Sequence, residues 1–322
     1  MYIELNNIGA IKSGKFFVNG LSVIYGNNGT GKSTIAKVVM AMIKADNIAR
    51  VKSKTDETFH SNRIRNFNKE IRHLFNFEKL SDNGNIKLKN SDGDKVIYDV
   101  TINNGMCKSF EGLKKEDKRE LLDCTYMNTP MVWDWYNFFT VARDQWKYKK
   151  RRSEDIKYPY TLWDLYSKIT NKRIDFEVDR EIINKINYYM NGEIIRDRQD
   201  GKYYYISNNN DNDIVLTNTS SNIKILGIIS TLLENCYMTP YGLFIFDEVE
   251  AKLDTIWQEK LVDILTDIVK SGVKVIVNTK SLYMIEIIEK ISNEKEIEDK
   301  TNFYFADDEN IGDIDNSLMK KW

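Results

Sequence analysis

Histidine, cysteine and long apolar runs are scarce in this sequence, and each shortage excludes a class of protein. Only two histidines, His60 and His73, occur among 322 residues, so a histidine-based metal site or catalytic triad is not expected. The three cysteines, Cys107, Cys124 and Cys236, are odd in number and far apart, which predicts reduced thiols in a cytoplasmic protein and no zinc site. Because no run of about 18 apolar residues occurs, no membrane span is expected.

Neither sign of charge is in excess. Lysine plus arginine total 47 and aspartate plus glutamate total 48, so any contact with nucleic acid must use a local patch. One such patch is the basic run at residues 143–152, where six lysines and arginines are interleaved with Trp146 and Tyr148. These residues suit phosphate contacts and base stacking. They equally suit a solvated helix face, balanced by Asp144 and Glu154, and the sequence leaves both interpretations open.

A glycine-rich segment stands out from this ordinary composition, because it fits G-x-x-x-x-G-K-[ST] at every fixed position. Residues 21–25 before it are a short β-rich run, and residues 34–44 after it have helical apolar spacing, which is the context that this motif requires. The glycines let backbone N–H groups point at phosphate oxygens, and the helix adds the positive end of its dipole. Lys32 is then placed to reach the β- and γ-phosphates, and the Ser33 hydroxyl to bind Mg²⁺. The predicted nucleotide-binding residues are Gly26, Asn27, Asn28, Gly29, Thr30, Gly31, Lys32, Ser33 and Thr34.

An apolar strand that ends in two acids supplies a second part of such a site. Residues 243–246 form a continuous apolar run, which is typical of a buried parallel strand. Asp247 at its end is placed to hold the Mg²⁺ shell, and Glu248 to orient or deprotonate the attacking water. The two motifs together predict a P-loop ATPase with ATP and Mg²⁺ as cofactors.

The residues around these motifs resemble the head of ABC-class ATPases of the SMC and overcoming-lysogenization-defect (OLD) type. The stretch D-E-V-E-A-K-L-D-T-I-W-Q at residues 247–258 is similar to the family's D-E-P-E-x-x-L-H-P-x-W-Q. The opening of the chain, residues 5–34, looks like the start of the same family. T-S-S-N-I-K at residues 219–224 resembles the family's signature, usually Ser-Ser-Gly before a helix, and N-T-K-S-L-Y at residues 278–283 resembles its Thr-His-Ser-Pro-Tyr switch.

The resemblance implies one ABC-class ATPase domain over residues 1–322, with an α/β P-loop NTPase fold. Its mixed central sheet would carry an N-terminal antiparallel β subdomain and a helical insertion. We expect an N-terminal lobe at 1–127, the insertion at 128–200 and a C-terminal lobe at 201–322 with the signature, acidic strand and switch. No sustained heptads or Toprim-like tail occur, so a compact head without a nuclease of its own is expected.

The resemblance also implies an assembly. In the family, the glycine loop of one subunit faces the signature of another, so Ser220, Ser221 and Asn222 are expected to contact the partner's γ-phosphate. Lys280 is expected beside the nucleotide of its own subunit, as a catalytic residue together with Glu248. We therefore expect a homodimer or a larger even-numbered assembly, because each chain carries one glycine loop and one signature segment.

Departures from the family pattern bear on hydrolysis. Lys280 stands where the switch has histidine, and Asn222 stands where the signature has glycine, while Asp254 and Thr255 replace His-Pro. A lysine can contact phosphate as a point charge but cannot imitate a neutral histidine acceptor.

Two functions therefore stay open. The first is an ATP-hydrolysing enzyme that regulates a separate effector, a nuclease or toxin, which the resemblance places in bacterial anti-phage defence. The second is a module that binds ATP without hydrolysing it, or a nucleic-acid sensor. The family's glutamine after a central strand is not evident, and Asn128 and Gln145 are its candidates.

Overall fold

A computed structural model describes residues 1–76, 79–149, 158–174, 176–209, 213–307 and 309–313, with the backbone alone at 145–149 and 313. The chain divides into two compact units. The first comprises Met1–Tyr126, Pro240–Glu248 and the described residues from Val269 onward, and the second comprises Met127–Thr239 and Val249–Ile268. The domain boundaries expected from the sequence stay a prediction. No described helix is long and apolar enough to cross a bilayer.

The helices and strands follow in chain order. The strands are β1 (Tyr2–Ile8), β2 (Ile11–Phe17), β3 (Leu21–Gly26), β4 (Asn83–Lys89), β5 (Val96–Asn103), β6 (Met106–Gly112), β7 (Asp123–Met127), β8 (Gly192–Arg196), β9 (Tyr203–Ser207), β10 (Ile214–Val215), β11 (Gly242–Asp247), β12 (Lys274–Thr279), β13 (Thr301–Ala306) and β14 (Asn310–Asp313). The helices are α1 (Lys32–Lys52), α2 (Asp56–Leu74), α3 (Tyr136–Lys149), α4 (Tyr160–Thr170), α5 (Arg180–Met190), α6 (Ser221–Glu234), α7 (Thr255–Lys270) and α8 (Leu282–Glu294).

A mixed sheet forms the centre of the first unit. Among the described residues its strand order is β6-β5-β4-β1-β2-β14-β13-β3-β12-β11-β7. The strands β6, β5, β4, β1 and β2 pair antiparallel, which confirms the antiparallel β region expected near the N-terminus. The strands β13, β3, β12 and β11 pair parallel, so their carboxyl ends lie along the same edge.

The helix α1, which follows the glycine loop, is anchored in the first unit by a buried ion network. The Asp46 carboxylate of α1 is fully buried. Arg63 of α2 donates to its Oδ1 at 2.7 Å, while Arg50 Nε and the Tyr98 hydroxyl donate to Oδ2 at 2.7 and 3.0 Å. A buried carboxylate needs such partners, and here they tie α1 to α2 and to β5.

Both α1 and α2 are longer than their apolar spacing predicts. Residues 34–44 predict the start of α1, but the helix continues to Lys52, and Ala45, Asp46 and Ala49 of this continuation are buried. The pattern of residues 68–75 favours a helix but covers only the C-terminal part of α2, which begins at Asp56 behind a capping box formed by Thr55 and Thr58. The N-terminal part of α2 carries little apolar signal; the cap, the buried Phe59 and the Arg63 contact with Asp46 hold it in place.

The second unit contains the helices α3 to α6 and a small antiparallel sheet of order β10-β9-β8. The sequence of residues 131–190 has a mostly helical pattern, and the described part of this range contains the helices α3, α4 and α5. Its core is aromatic: Trp133, Tyr136 and Tyr203 lie within 5.0–6.5 Å of one another by ring centroid. The basic run at 143–152 lies largely outside the described residues, and Arg143 is the member whose side chain the structure describes. Whether that run binds nucleic acid stays a prediction.

Candidate active site

The parallel strands of the first unit bring three sequence motifs to one edge of the sheet. β3 runs into the glycine loop, β11 ends at Asp247, and β12 between them ends at Thr279. In the strand register Asp247 lies beside Asn278, and Asn278 lies beside Ile24 of β3. Ligands of open α/β sheets bind at the carboxyl ends of the strands, and this edge holds the predicted site.

The glycine loop has a backbone that only glycine allows at several positions. Gly29 and Gly31 have φ of 88° and 91°, in the left-handed region that disfavours other residues. A Cβ on Gly26 would lie 2.3 Å from the Ala306 carbonyl oxygen. Gly31 is the N-cap of α1, which has no side-chain cap and no acid in its first turn. The first N–H groups of this 21-residue helix therefore suit an anion.

Lys32 lies folded into this loop. Its Nζ donates hydrogen bonds to the carbonyl oxygens of Gly26 and Asn27, both at 2.7 Å. The side chain is 4% exposed, and burial lowers the pKa of Lys32, against the opposing effect of Glu248 and Asp247. A desolvated ammonium gains more from a phosphate than an exposed one, because the local dielectric is lower.

Several other loop residues support this geometry. The Thr30 hydroxyl donates to the Asn27 carbonyl oxygen at 3.0 Å, and this bond stabilises the turn at residues 27–30. Ser33 and Thr34 are half-buried at the start of α1. Thr30 thus acts on the shape of the loop, while Ser33 is at the position that the motif gives to Mg²⁺ binding.

Asp247 is held by two buried donors that the sequence analysis missed. The Tyr126 hydroxyl donates to Oδ2 at 2.5 Å, and the Asn278 amide donates to Oδ1 at 2.8 Å. Burial and the neighbouring Asp247 carboxylate raise the pKa of Tyr126, so its hydroxyl keeps its proton at neutral pH. The carboxylate is 5% exposed, and each of its oxygens can accept more than one hydrogen bond. A polar Asn directly after the β-rich run 273–277 was the available sequence signal for Asn278.

Glu248 has an unusual backbone and two cationic neighbours. Its φ is +54°, which is uncommon for a residue other than glycine and concentrates at functional sites. The Glu248 N–H donates to the Asn278 carbonyl oxygen at 2.9 Å. Its Oε1 lies 3.7 Å from Lys32 Nζ, and its Oε2 lies 3.2 Å from Lys280 Nζ. The carboxylate is 27% exposed, so water can reach it.

Lys280 connects the switch segment to the glycine loop. Besides its ion pair with Glu248, its Nζ donates to Asn28 Oδ1 at 3.4 Å. The structure thus brings Lys32, Asp247, Glu248 and Lys280 together in one unit. Their chemical roles stay predictions.

The signature-like residues belong to the second unit. Ser220 is the N-cap of α6, and Ser221 and Asn222 begin that 14-residue helix, which has no side-chain cap and no acid in its first turn. Asn128, a candidate for the family's glutamine, is exposed in the second unit, and the side chain of Gln145 lies outside the described residues. The expected contact with a partner's nucleotide stays a prediction.

The residues at the sheet edge fit a magnesium ion that a nucleotide brings with it. No group of three histidine, cysteine or acidic side chains in the described chain could hold a metal alone. Mg²⁺ commonly keeps several waters and binds through one or two carboxylates plus substrate phosphates. Asp247 and Ser33 suit that pattern. In addition, the buried Asn278 Oδ1 has no hydrogen-bond partner among the described residues, and such a group in a folded protein calls for an explanation.

Comparison with known proteins identifies the fold. The sequence matches no family model and no curated protein. The SMC head domain from Thermotoga maritima is similar over 98% of this chain and 98% of its own, with a TM-score of 0.50 and 12% identity. An SMC head from Pyrococcus furiosus with an extended coiled coil, bound to the C-terminal domain of ScpA, covers 99% of this chain and 97% of its own, with a TM-score of 0.47 and 13% identity.

The fold is therefore similar to that of the SMC head domain, the P-loop NTPase fold expected from the sequence. This confirms the fold class expected from the sequence, including the mixed sheet. At this identity the likeness establishes the fold and leaves the chemistry to be argued from the residues.

Proposed function

We propose that this protein is an ABC-class ATPase that binds Mg-ATP at the carboxyl edge of β3, β12 and β11 and hydrolyses it. The observation that carries the proposal is the convergence of Lys32, Asp247 and Glu248 at that edge. The Lys32 amine lies inside a glycine loop, the Asp247 carboxylate is fixed by two donors, and Glu248 is 3.7 Å from Lys32. A phosphate-binding cation, a metal-binding acid and a base are the parts that phosphoryl transfer to water requires.

The residues divide the reaction between them. Lys32 exchanges its two carbonyl partners for phosphate oxygens, and the first N–H groups of α1 bind the same phosphates. Bound Mg²⁺ would supply charge neutralisation at the β- and γ-phosphates, held by Ser33 and Asp247. Glu248 accepts a proton from the attacking water as the water oxygen bonds to the γ-phosphorus. The bond from that phosphorus to the bridging oxygen breaks, which leaves ADP and inorganic phosphate.

Nucleotide binding is tested by Lys32→Ala. Mg-ATP stabilises a protein that binds it only in the folded state, by about 2.7 kcal/mol at a concentration of 100 Kd. We expect wild type to melt at a higher temperature with Mg-ATP, and Lys32→Ala to lose most of that rise. Thermal melting with and without Mg-ATP measures the difference within each variant, so a change in the stability of the free protein does not interfere.

A matched control for this experiment is Lys290→Ala. Lys290 is an exposed lysine on α8, and its removal should leave the Mg-ATP effect intact. Equal stabilisation of wild type, Lys290→Ala and Lys32→Ala by Mg-ATP would contradict the assignment of the loop.

A second function, ATP binding without hydrolysis, is favoured by one observation. Glu248 is ion-paired with both Lys32 and Lys280, and a carboxylate engaged by two ammonium groups is poorly placed to take a proton from water. If the phosphates of ATP take Lys32 away from Glu248 while Lys280 keeps its ion pair with Glu248, the site binds ATP without hydrolysing it. Lys280 is then the residue that decides between an enzyme and a binding module.

The Lys280→His variant separates the two functions. It removes the ammonium group from Glu248 and supplies the residue that the family has in the switch. We expect turnover to rise by about tenfold, which corresponds to about 1.4 kcal/mol in the barrier, with ATP affinity little changed. Phosphate release at saturating ATP measures it, with Lys290→His as the control. Unchanged turnover in Lys280→His would show that the ion pair does not restrain Glu248.

The biological role is proposed from the family resemblance of the motifs. Small stand-alone proteins that resemble this chain often occur in bacterial anti-phage systems beside a nuclease or toxin, and we propose the same here: a separate nuclease or toxin as the effector, in bacterial anti-phage defence in the cytoplasm. The gene beside this one would name the effector. A nucleic-acid contact through residues 143–152 belongs to the same proposal.

A further inference from the structure

Asn278 joins three parts of the candidate site. Its Nδ2 donates to the main-chain carbonyl oxygen of Lys32 at 3.1 Å and to Asp247 Oδ1 at 2.8 Å. Its own main-chain carbonyl oxygen accepts the N–H of Glu248 at 2.9 Å. The side chain is fully buried. One residue of β12 therefore touches the start of α1, the metal-binding acid and the backbone of the base.

The orientation of the Asn278 amide is fixed by its partners. Both partners on one side, the Lys32 carbonyl oxygen and Asp247 Oδ1, are acceptors, so the amide nitrogen must face them. The amide oxygen is therefore the atom that does not bond to them, and no donor in the described chain makes a hydrogen bond to it. A buried acceptor left without a donor destabilises the fold, so a donor from outside the chain is expected.

The chemistry of the missing partner can be stated. An amide oxygen accepts hydrogen bonds and cannot donate one, so a phosphate, which also presents acceptors, does not suit it. Mg²⁺ keeps several of its waters when it binds, and those waters are strong donors. We propose that Asn278 Oδ1 accepts a hydrogen bond from a water of the hydrated Mg²⁺ that enters with ATP.

This inference rests on the proposed function, and it adds a residue that the motifs do not include. Asn278 would bind the hydrated cation with its oxygen while its nitrogen holds Asp247 and the start of α1. Outer-shell partners of a metal typically change its affinity by roughly 10- to 100-fold when they are removed. The effect should therefore appear in the metal-dependent part of nucleotide affinity, and the metal-independent part should change little.

The test compares the affinity for AMP-PNP, a nonhydrolysable ATP analogue, in Mg²⁺ and in EDTA. The dissociation constant in EDTA divided by the dissociation constant in Mg²⁺ measures how much the metal contributes to affinity. We expect Asn278→Leu, which keeps the branched outline of asparagine without its polar atoms, to lower this ratio at least about tenfold, with the constant in EDTA little changed. Asn278→Ser is the second variant in case the apolar side chain prevents folding, and it should lower the ratio similarly.

The matched control is Tyr126→Phe. It removes the other donor to Asp247 but leaves the Asn278 oxygen in place, so it should lower the ratio clearly less. Equal losses in the Asn278 and Tyr126 variants would mean that Asn278 acts only by holding Asp247, and the inference would be wrong. It would also be wrong if Asn278 variants lost as much affinity in EDTA as in Mg²⁺, or if wild type bound equally well in both. Failure of wild type to bind AMP-PNP at all would instead overturn the proposed function, and the inference with it.

Discussion

Glu248→Gln should reduce ATP turnover by roughly a hundredfold or more, the range for loss of a positioned acid–base group, while Mg-ATP binding is retained. Glutamine keeps the size of the side chain and its hydrogen-bonding ability but cannot take a proton from water. The backbone at residue 248, with its φ of +54° and its N–H on the Asn278 carbonyl oxygen, is not altered by the change. Phosphate release and equilibrium ATP binding, measured on the same protein, separate the two effects.

The control for this variant is Glu286→Gln, an exposed acid on α8 in the same unit. It loses the same charge at an exposed position outside the motifs and should retain full turnover. Turnover of Glu248→Gln equal to that of wild type would remove Glu248 from the role of base. If wild type itself shows no turnover, the non-hydrolysing function is the correct one, and Lys280→His becomes the decisive variant.

The parts of the site that the sequence predicts are those whose signal is local. The glycine loop needs residues 26–34 in order, and Asp247 and Glu248 follow directly from an apolar strand. The later helices are predicted closely for the same reason: apolar spacing predicts a helix at 282–291, and α8 extends from Leu282 to Glu294. Each of these patterns is complete within one short stretch.

The parts that the sequence does not predict depend on distant contacts. Tyr126 meets Asp247 across 121 residues, and the Lys280 contact with Asn28 spans 252. The strand order also depends on distant contacts. β14 lies between β2 and β13, and nothing in its four residues indicates those neighbours. Asn278 adds a further difficulty, because its importance lies in one buried acceptor without a partner in the described chain. The lack of a partner for that atom is seen only once the positions of β3, β12 and β11 are known.

The uncapped start of α6 motivates the prediction about assembly. Ser220 and the first turn of this 14-residue helix carry no side-chain cap and no acid, so its N–H groups and dipole suit a phosphate. In the family that the motifs resemble, this segment completes the site of a second subunit, and a twofold homodimer supplies both halves twice. ATP favours the dimer only by binding the closed pair more tightly than the single chain. The Glu248→Gln protein, which should keep its ATP, is therefore expected to form the tightest dimer.

Ser221→Glu in the Glu248→Gln background should weaken this ATP-dependent dimer by at least about tenfold, or 1.4 kcal/mol. A carboxylate at a helix N-terminus stabilises the helix itself, so α6 should stay folded while the new charge repels a partner's γ-phosphate. ATP binding by the single chain should be little changed, since Ser221 belongs to the second unit and Lys32 to the first. Light scattering with and without Mg-ATP gives the mass of the assembly, and Ser61→Glu, the same change at an exposed position on α2, serves as the control. A Glu248→Gln protein that stays monomeric at saturating Mg-ATP would refute the shared site.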